Sequence, residues 1–206
     1  SANCGRYCDA DVDFVDIDPS TYNMSVDELE KKLQKAAVKP KVVIPVHLAG
    51  QSCDMDKIYK LSQEYGFKVI EDASHAIGAD YKSAKIGCCK YSDLAVFSFH
   101  PVKIVTTGEG GMVLTNDKEL HEKVLLYRSH GITRDPKMMT RTADGPWYYQ
   151  QIELGFNYRM TDIQAALGYS QMQKVDEFVS RRRYLAKRYD ELLKNINNIH
   201  LPDQNE

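Results

Sequence analysis

Several apolar runs of the sequence end in side chains that are able to do chemistry. The run "FKVIEDASH" ends in the carboxylate of Asp72 and the imidazole of His75. The longer stretch "AVFSFHPVKIVTTGEGGMVLT" presents Ser98 and Lys103 ahead of a glycine-rich turn. Amines, imidazoles, carboxylates and hydroxyls act as nucleophiles, as general acids and bases, and as ligand contacts. These residues, together with His47 after "VVIPV", are therefore candidates for a catalytic or ligand-binding site.

Each candidate also has a plain structural explanation. A lysine is most often a solvated surface group, and an aspartate after a strand is often a turn former or a helix cap. His47 and His75 would serve as hydrogen-bonded core histidines, and Ser98 as a small packing residue. The segment "TTGEGG" would be a flexible turn, since it lacks the glycine spacing of the common phosphate-binding loops. Only the combination and order of the residues favour chemistry over structure.

Strand and helix signals alternate along the chain and would position these residues. Ser25 and Glu28 have the spacing of a capping box at the start of one helix, and glycines end two others. The last helix is very long, and we expect it to bend near Gly168. The pattern predicts strands at 12–17, 41–50, 67–73, 93–99 and 110–115, and helices at 25–36, 54–66, 118–131 and 161–195.

This alternation predicts an α/β domain with a largely parallel sheet, because strands joined by single helices form parallel units. The strands at 93–99 and 110–115 are too close together for a helical crossover, so one of them should run antiparallel. Ligands of such sheets bind outside the carboxyl ends of the parallel strands. The candidate residues follow those ends, so the site should lie there.

Composition narrows the class of function. The 206 residues are 43% hydrophobic and 27% charged, which is typical of a globular domain with one sizeable core. The 27 basic and 29 acidic residues are spread along the chain, so no block of one sign indicates nucleic acid or a membrane surface. No apolar run reaches the roughly 20 residues of a membrane-spanning helix. The expected partner is a small molecule or another protein.

The five cysteines favour a reducing compartment. Cys4, Cys8, Cys53, Cys88 and Cys89 form an odd set without C-x-x-C spacing. Such a set supports neither a disulfide framework nor a structural zinc site. We expect a cytoplasmic protein without a metal.

Five motifs, in this order, resemble the DegT/DnrJ/EryC1/StrS family of fold type I PLP-dependent sugar aminotransferases. The resemblance covers essentially the whole chain. It implies an α/β fold, the three-layer αβα large domain of these transferases with a mostly parallel mixed sheet. The motifs are "VVIPVHLAG", "VIEDASHAIGADY", "GCCKYSDLAVFSFHPVKIVTTGEGGMVLTND", "YRSHGI" and "LGFNYRMTDIQAALG".

The resemblance assigns catalytic roles to three residues. Lys103 resembles the lysine that binds pyridoxal 5'-phosphate (PLP) covalently and moves the proton during amino transfer. Asp72 resembles the carboxylate that keeps the pyridine nitrogen of the cofactor protonated. His75 takes the place of the family's histidine or glutamine beside the cofactor 3-hydroxyl.

The resemblance also implies binding residues and a partner. Ser98 matches a hydroxyl that contacts the cofactor phosphate. Asn157 resembles the asparagine that reaches the cofactor phosphate of the neighbouring subunit, which implies a homodimer with shared active sites. Arg159 is a candidate contact for the substrate diphosphate, since a guanidinium suits phosphate geometry, and a cap or interface ion pair is the alternative.

Within the family, the motifs most resemble members of pseudaminic acid biosynthesis. That likeness implies transfer of an amino group from L-glutamate to C4 of a UDP-linked 4-keto-6-deoxy-N-acetylhexosamine. The product would be a 4-amino sugar nucleotide for surface polysaccharide or flagellin glycans. Relatives that act on other UDP- or dTDP-linked keto sugars share most of these residues.

The sequence departs from the family pattern at both ends. It lacks the phosphate-binding turn and the ring-stacking aromatic that complete members carry before this point, and it reads as a fragment. Residues 1–160 are expected to form the central part of the PLP-binding large domain. Residues 161–206 would be a long helix that leads to an absent C-terminal small domain. Alone, the chain is expected to bind PLP weakly and to turn over little.

Two other functions stay open on the sequence alone. A PMP-dependent sugar dehydratase has the same fold, but its family replaces the cofactor lysine by histidine, and Lys103 argues against it. A non-catalytic regulatory member is the second alternative, which the retained Lys103, Asp72 and His75 disfavour.

Overall fold

The chain folds into short strands and longer helices, and the computed structural model describes residues 1–204. The helices are α1 (Ala2–Tyr7), α2 (Val26–Lys35), α3 (Met55–Tyr65), α4 (Lys118–Arg128), α5 (Asp162–Met172) and α6 (Val175–Leu193). The strands are β1 (Val42–Val43), β2 (Lys68–Asp72), β3 (Asp80–Tyr81), β4 (Ala84–Lys85), β5 (Leu94–Ser98), β6 (Gly111–Leu114), β7 (Ile132–Thr133) and β8 (Gln150–Gln151).

A four-stranded sheet of order β1-β2-β5-β6 lies at the centre of the fold. Strands β1, β2 and β5 are parallel, and β6 returns antiparallel to β5. In the register, Asp72 is opposite Val96 and Ser98 is opposite Gly111. The mostly parallel mixed sheet that the sequence predicts is confirmed.

Helices α2 and α3 cover one face of this sheet. Leu29 and Leu33 of α2 and Ile58 of α3 are almost fully buried and pack with Val69 of β2. The predicted caps are present: the Ser25 hydroxyl accepts a hydrogen bond from the Glu28 N–H, and a left-handed glycine ends α3. The apolar spacing and the capping residues therefore predicted α2 and α3 correctly.

A second buried cluster continues the core on the Val69 side of the sheet, because Phe97 and Ala73 follow the alternation of Val69 and Glu71. Ala73, Phe97, Phe99 and Val105 are buried there, and Val175 at the start of α6 packs against them. The outer surfaces of α5 and α6 keep exposed aromatic and aliphatic side chains, namely Ile163, Tyr169, Tyr184 and Tyr189. Parallel strands in one sheet with helices between them in the chain make the fold α/β.

The prediction of a strand at 12–17 is wrong. The segment makes only one isolated bridge, between Ile17 and Met24. The Asp13 and Asp16 carboxylates each accept the N–H of the next residue at 2.8 Å, which removes donors that a ladder would use. The alternating pattern correctly indicates an extended backbone, but among residues 1–204 no strand forms a ladder with residues 12–17.

The segment at 41–50 forms a shorter strand than predicted. Only Val42 and Val43 pair in the ladder, and Val46 makes a single bridge to Asp72. Pro45 has no N–H to donate, which interrupts the ladder, and residues Leu48–Gly50 form a 3-10 turn. The strand still reaches the ligand edge of the sheet through that bridge.

Two predicted helix boundaries also need correction. Helix α4 ends at Arg128 rather than at Gly131, and the chain then turns through His130 and Gly131 with positive φ angles. The single helix predicted at 161–195 is two helices, divided at 173–174 and not bent at Gly168. Gly168 lies within α5, buried against Thr107. The last part of the predicted C-terminal segment, residues 205–206, lies outside the described residues.

None of the helices formed by residues 1–204 has both the length and the apolar character needed to cross a membrane. The five cysteines are free thiols, of which Cys53 and Cys89 are buried. Within the same residues no group of three or more histidine, cysteine or acidic side chains is placed to hold a metal ion.

Candidate active site

Asp72 and Ser98 lie on the same face of the sheet, at the carboxyl ends of neighbouring parallel strands. Asp72 pairs with Val96, and Ser98 follows Val96 by two positions. Because side chains alternate between the faces of a strand, Asp72, Val96 and Ser98 all point to one side. The sequence placed these two residues at strand ends, and the register adds that they share a face.

The Asp72 carboxylate is half-buried and bound by two serines. It accepts hydrogen bonds from the Ser1 hydroxyl and, at 3.2 Å, from the Ser74 N–H. Burial alone would raise the pKa of Asp72, but the hydrogen bonds from Ser1 and Ser74 outweigh it and hold the pKa below its usual value. Asp72 is therefore a charged carboxylate at neutral pH, able to pair with a cationic or N–H group of a ligand.

His75 is exposed three residues after Asp72 and is oriented by the chain segment that follows β1. Its ring Nδ1 accepts the Ala49 N–H at 3.3 Å. Gly50 sits against it with a φ of +94°, and a Cβ there would approach the His75 carbonyl oxygen to 3.1 Å. With Nδ1 as the acceptor, the neutral ring carries its proton on Nε2 and can donate to a ligand.

Lys103 lies in a loop whose base is closed by hydrogen bonds. The Phe99 carbonyl accepts from the Thr106 hydroxyl and from the Thr107 N–H, both at 3.0 Å, and Val105 is buried inside the loop. The Lys103 side chain is half-buried, and within residues 1–204 its ammonium has no hydrogen bond or ion pair. The amine at the ligand edge is thus not engaged by an acidic neighbour.

The glycine-rich turn after Lys103 is packed against α5. The Gln164 side chain donates to the Glu109 carbonyl at 3.0 Å, and a Cβ at Gly168 would be 2.7 Å from the Thr107 methyl. Gly111 is required because a Cβ would be 2.8 Å from the Phe97 carbonyl oxygen. Gly111 in the turn and Gly168 in α5 therefore serve packing within the chain, whereas the sequence suggested that the turn is flexible.

Asn157 and Arg159 are exposed and lie on a different segment. That segment follows the end of α4: the Phe156 N–H donates to the Tyr127 carbonyl at 2.7 Å and the Tyr158 N–H to the Arg128 carbonyl at 3.0 Å. Within residues 1–204 neither side chain contacts Asp72, Ser98 or Lys103 through a hydrogen bond or an ion pair. Of the six residues to which the resemblance assigns roles, four lie at or after the carboxyl ends of β2 and β5, and Asn157 and Arg159 lie on the segment after β8.

The sequence did not predict two hydrogen bonds that Asp72 accepts at this edge of the sheet. The bond from Ser1 to Asp72 joins residues 71 positions apart, and nothing local indicates it. The Ser74 contact had a signal, because an aspartate two residues before a serine often binds that residue's N–H in an Asx turn.

A half-buried carboxylate, a hydroxyl and a lysine loop at the edge of this mixed sheet are features of an α/β transferase domain. Residues 1–206 match the DegT/DnrJ/EryC1/StrS aminotransferase family. The chain belongs to this family, which confirms the resemblance of its five motifs.

Curated relatives match nearly the whole chain. An uncharacterized protein of Methanocaldococcus jannaschii, MJ1066, is 46% identical over 189 residues, which cover 92% of this chain and 47% of that protein. GDP-perosamine synthase of Caulobacter vibrioides is 42% identical, over 96% and 49% of the two chains. UDP-4-amino-4,6-dideoxy-N-acetyl-beta-L-altrosamine transaminase of Campylobacter jejuni is 41% identical, over 92% and 47%. The chain spans about half the length of the curated relatives it matches.

Solved structures confirm the fold class. PseC of Helicobacter pylori, an aminotransferase of pseudoaminic acid biosynthesis, superposes with a TM-score of 0.84 at 33% identity, over 95% of this chain and 49% of PseC. Spr1654 of Streptococcus pneumoniae, a proposed sugar aminotransferase, superposes in its PMP form with a TM-score of 0.79 at 30% identity, over 94% and 52% of the two chains. The same protein is also known in a PLP form. The fold is that of the fold type I aminotransferases.

Proposed function

We propose that the protein is a PLP-dependent aminotransferase that moves an amino group from L-glutamate to C4 of a UDP-linked 4-keto-6-deoxy sugar. The observation that carries the proposal is the grouping of Asp72, His75, Ser98 and Lys103 at one edge of the sheet in a chain of this family. The named activities of the C. jejuni transaminase and of H. pylori PseC support a nucleotide sugar as the substrate.

The side chains at the sheet edge suit the groups of PLP. A charged, half-buried carboxylate suits a protonated pyridine nitrogen, and the low pKa of Asp72 keeps it charged. An amine without an acidic partner suits the aldehyde, and Lys103 offers one. A hydroxyl at a strand end suits the phosphate, and Ser98 offers one on the same face as Asp72. When bound, PLP supplies an electron sink that stabilises negative charge at the carbon that loses its proton.

The residues of the chain then divide the work of amino transfer. Asp72 would hold the proton on the ring nitrogen and keep the ring able to accept electron density. Lys103 would move a proton to and from the substrate carbon, so it needs a neutral amine for part of the cycle. His75 would donate its Nε2–H to the cofactor hydroxyl. Loss of Asp72 or Lys103 should therefore lower the rate of amino transfer far more than it lowers the affinity for the ligands.

We assign the exposed Asn157 and Arg159 to contacts outside this group. Asn157 would contact the cofactor phosphate of a second subunit in a homodimer, and Arg159 the substrate diphosphate. Their exposure supports such roles. We further propose that residues 1–160 are the PLP-binding part and residues 161–206 the connection to a small domain. Free thiols at Cys4, Cys8 and Cys88 favour a cytoplasmic enzyme.

The proposal is tested by locating the cofactor in the full-length protein. Addition of PLP should produce the visible absorption of a lysine-bound cofactor, and borohydride should fix it to Lys103, as peptide mass mapping would reveal. The Lys103→Ala variant should lose the band. Given glutamate and the UDP-keto sugar, the protein should release 2-oxoglutarate. Trapping on another lysine, or sugar deoxygenation without 2-oxoglutarate, would refute the proposed function.

A further inference from the structure

Glu71, the neighbour of Asp72 on β2, is a carboxylate buried on the opposite face of the sheet. Its residue is only 4% exposed. One carboxylate oxygen, Oε2, lies 2.9 Å from Nε2 of His47, and the other accepts a hydrogen bond from the Ser92 hydroxyl. A buried charge persists only when donors replace its water, so both contacts are needed for the fold. The proposed reaction uses none of these three residues.

The ring of His47 has both nitrogens occupied and is itself fully buried. Nδ1 accepts the Cys53 N–H at 3.2 Å, so it carries no proton. The ring proton is therefore on Nε2 and points at Glu71. His47 thus joins the start of α3 to the strand that carries Asp72.

The main chain around His47 holds the backbone of Asp72 on both sides. The Asp72 N–H donates to the Pro45 carbonyl at 2.9 Å, and the His47 N–H donates to the Asp72 carbonyl at 3.1 Å. Because the ladder is short here, these two bonds and the imidazole contact are what attach residues 45–47 to this end of β2. Two residues further on, the Ala49 N–H binds the His75 ring.

We propose that His47 and Glu71 are positioning residues for the cofactor site. Their hydrogen bond fixes residues 45–50 against β2 and thereby orients Asp72 through its backbone and His75 through Ala49. The inference rests on the proposed function, since it takes Asp72 and His75 as the groups that hold PLP. It assigns a role to a buried pair that touches neither cofactor nor substrate.

Two substitutions of His47 separate positioning from mere stability. In His47→Asn the side-chain oxygen can replace Nδ1 as the acceptor for Cys53, and the bond to Glu71 is lost. In His47→Gln the amide nitrogen can replace Nε2 as the donor to Glu71, and the bond to Cys53 is lost. Each variant loses one buried hydrogen bond, and His47→Asn should lose more stability because it leaves the buried Glu71 carboxylate with one donor fewer, so a separate stability control is needed. Only His47→Asn breaks the link to the Asp72 strand.

The first measurement uses PLP in the full-length protein. His47→Asn should weaken PLP binding by about tenfold and shift or broaden the absorption of the lysine-bound cofactor. His47→Gln and Glu71→Gln, which retain a partner for the other residue, should stay within a few-fold of wild type. The control is Leu61→Ala, a truncation of a buried α3 side chain that lowers stability and keeps every hydrogen bond of residues 45–50 given above. It should leave the spectrum unchanged.

The second measurement needs no cofactor. Amide hydrogen exchange of Asp72 is compared with that of Val69 on the same strand, so that global unfolding, which accelerates both, cancels in the ratio. His47→Asn should raise the ratio, and His47→Gln and Leu61→Ala should not. If His47→Asn and Leu61→Ala behave alike in this ratio, the positioning role is wrong. If His47→Asn raises the ratio as expected but wild type binds no PLP at Lys103, the proposed function fails while the link between His47 and the Asp72 strand stands.

Discussion

Two consecutive acidic residues of β2 have opposite environments, and this difference is set by strand geometry. Asp72 faces the ligand edge and is half-buried, whereas Glu71 faces the core and is paired with His47. The sequence identified Asp72 as a candidate and could not assign the faces of either residue, because the assignment depends on which neighbours the strand acquires. The interpretation of His47 as a core histidine agrees with its complete burial.

A third acidic residue, Asp56, allows a pH test at the residue scale. The Tyr81 hydroxyl and the Lys82 ammonium bind its carboxylate and lower the pKa of Asp56 from 3.8 to about 2. Burial, and then the bond to Asp56, raise the pKa of Tyr81 from 10.0 to about 12. The bond between them therefore adds stability above pH 3.8, which is lost as pH falls through about 2. At alkaline pH the raised pKa of Tyr81 has the opposite effect. The stability that the bond contributes is fully present below pH 10 and is lost as pH rises through about 12.

We predict that Tyr81→Phe lowers the free energy of unfolding by a constant amount between about pH 4 and pH 10. The difference from wild type should shrink towards both pH extremes, and the pKa of Asp56 should rise. Urea unfolding across pH and NMR titration of the carboxyl would measure these effects. Tyr59→Phe is the control, because the Tyr59 hydroxyl has no hydrogen-bond partner within residues 1–204. A pH-independent difference over the whole range would contradict the assignment.

At the scale of elements, the contact between α5 and the turn after Lys103 depends on Gly168. Alanine is favoured over glycine within a helix by about 1 kcal/mol. A Cβ at position 168 would lie 2.7 Å from the Thr107 methyl, which is closer than packed carbons lie. Overpacking of this kind costs about 1–3 kcal/mol, so the clash outweighs the gain in propensity.

We predict that Gly168→Ala lowers the free energy of unfolding by up to about 2 kcal/mol and weakens formation of the lysine-bound cofactor, because the turn must move. Urea unfolding and the visible spectrum would report the two effects. Ser170→Ala, at an exposed position of the same helix, is the matched control and should be neutral or slightly stabilising. If Gly168→Ala raised the free energy of unfolding, close packing of α5 against the turn would be contradicted.

Elements with their own caps and apolar spacing could be predicted from the sequence, and elements defined by neighbours could not. Helices α2 and α3 carry Ser25 and Gly66 as boundaries, and both agree with the prediction. The extended segment at 12–17 lacks a strand partner, which no local pattern reveals. The division of the last helix at 173–174 has no glycine or proline to mark it. The candidate residues came from motifs, but their distances and partners came only from the fold.

At the scale of the whole molecule, the exposed face around Asn157 raises the question of a second subunit. Phe156 and Tyr158 flank it with stacked rings, and they are 56% and 72% exposed. Aromatic side chains on a polar rim are typical of interface surfaces. They support the proposal that Asn157 serves the site of a partner subunit.

Subunit mixing would test this proposal in the full-length protein. Lys103→Ala and Asn157→Ala should each be nearly inactive as homodimers. After the two are unfolded together and refolded, about half of the dimers should be mixed, and each mixed dimer has one site without either substitution. We expect about a quarter of wild-type activity, measured as 2-oxoglutarate release. No gain over the separate variants would place Lys103 and Asn157 in the same subunit's site or exclude the dimer.

The antiparallel return of β6 has a consequence for how the lysine segment can evolve. The Phe99 N–H donates to the Gly110 carbonyl at 2.8 Å, so the two ends of the segment are tied together at the margin of the sheet. Insertions or deletions between these ends change the reach of Lys103 without moving the strand register, and lengthening a closed loop costs little entropy. The proposed covalent anchor, Lys103, thus lies in a segment whose length can change at the margin of the sheet, whereas Asp72, fixed within a parallel strand, cannot be shifted without moving the sheet.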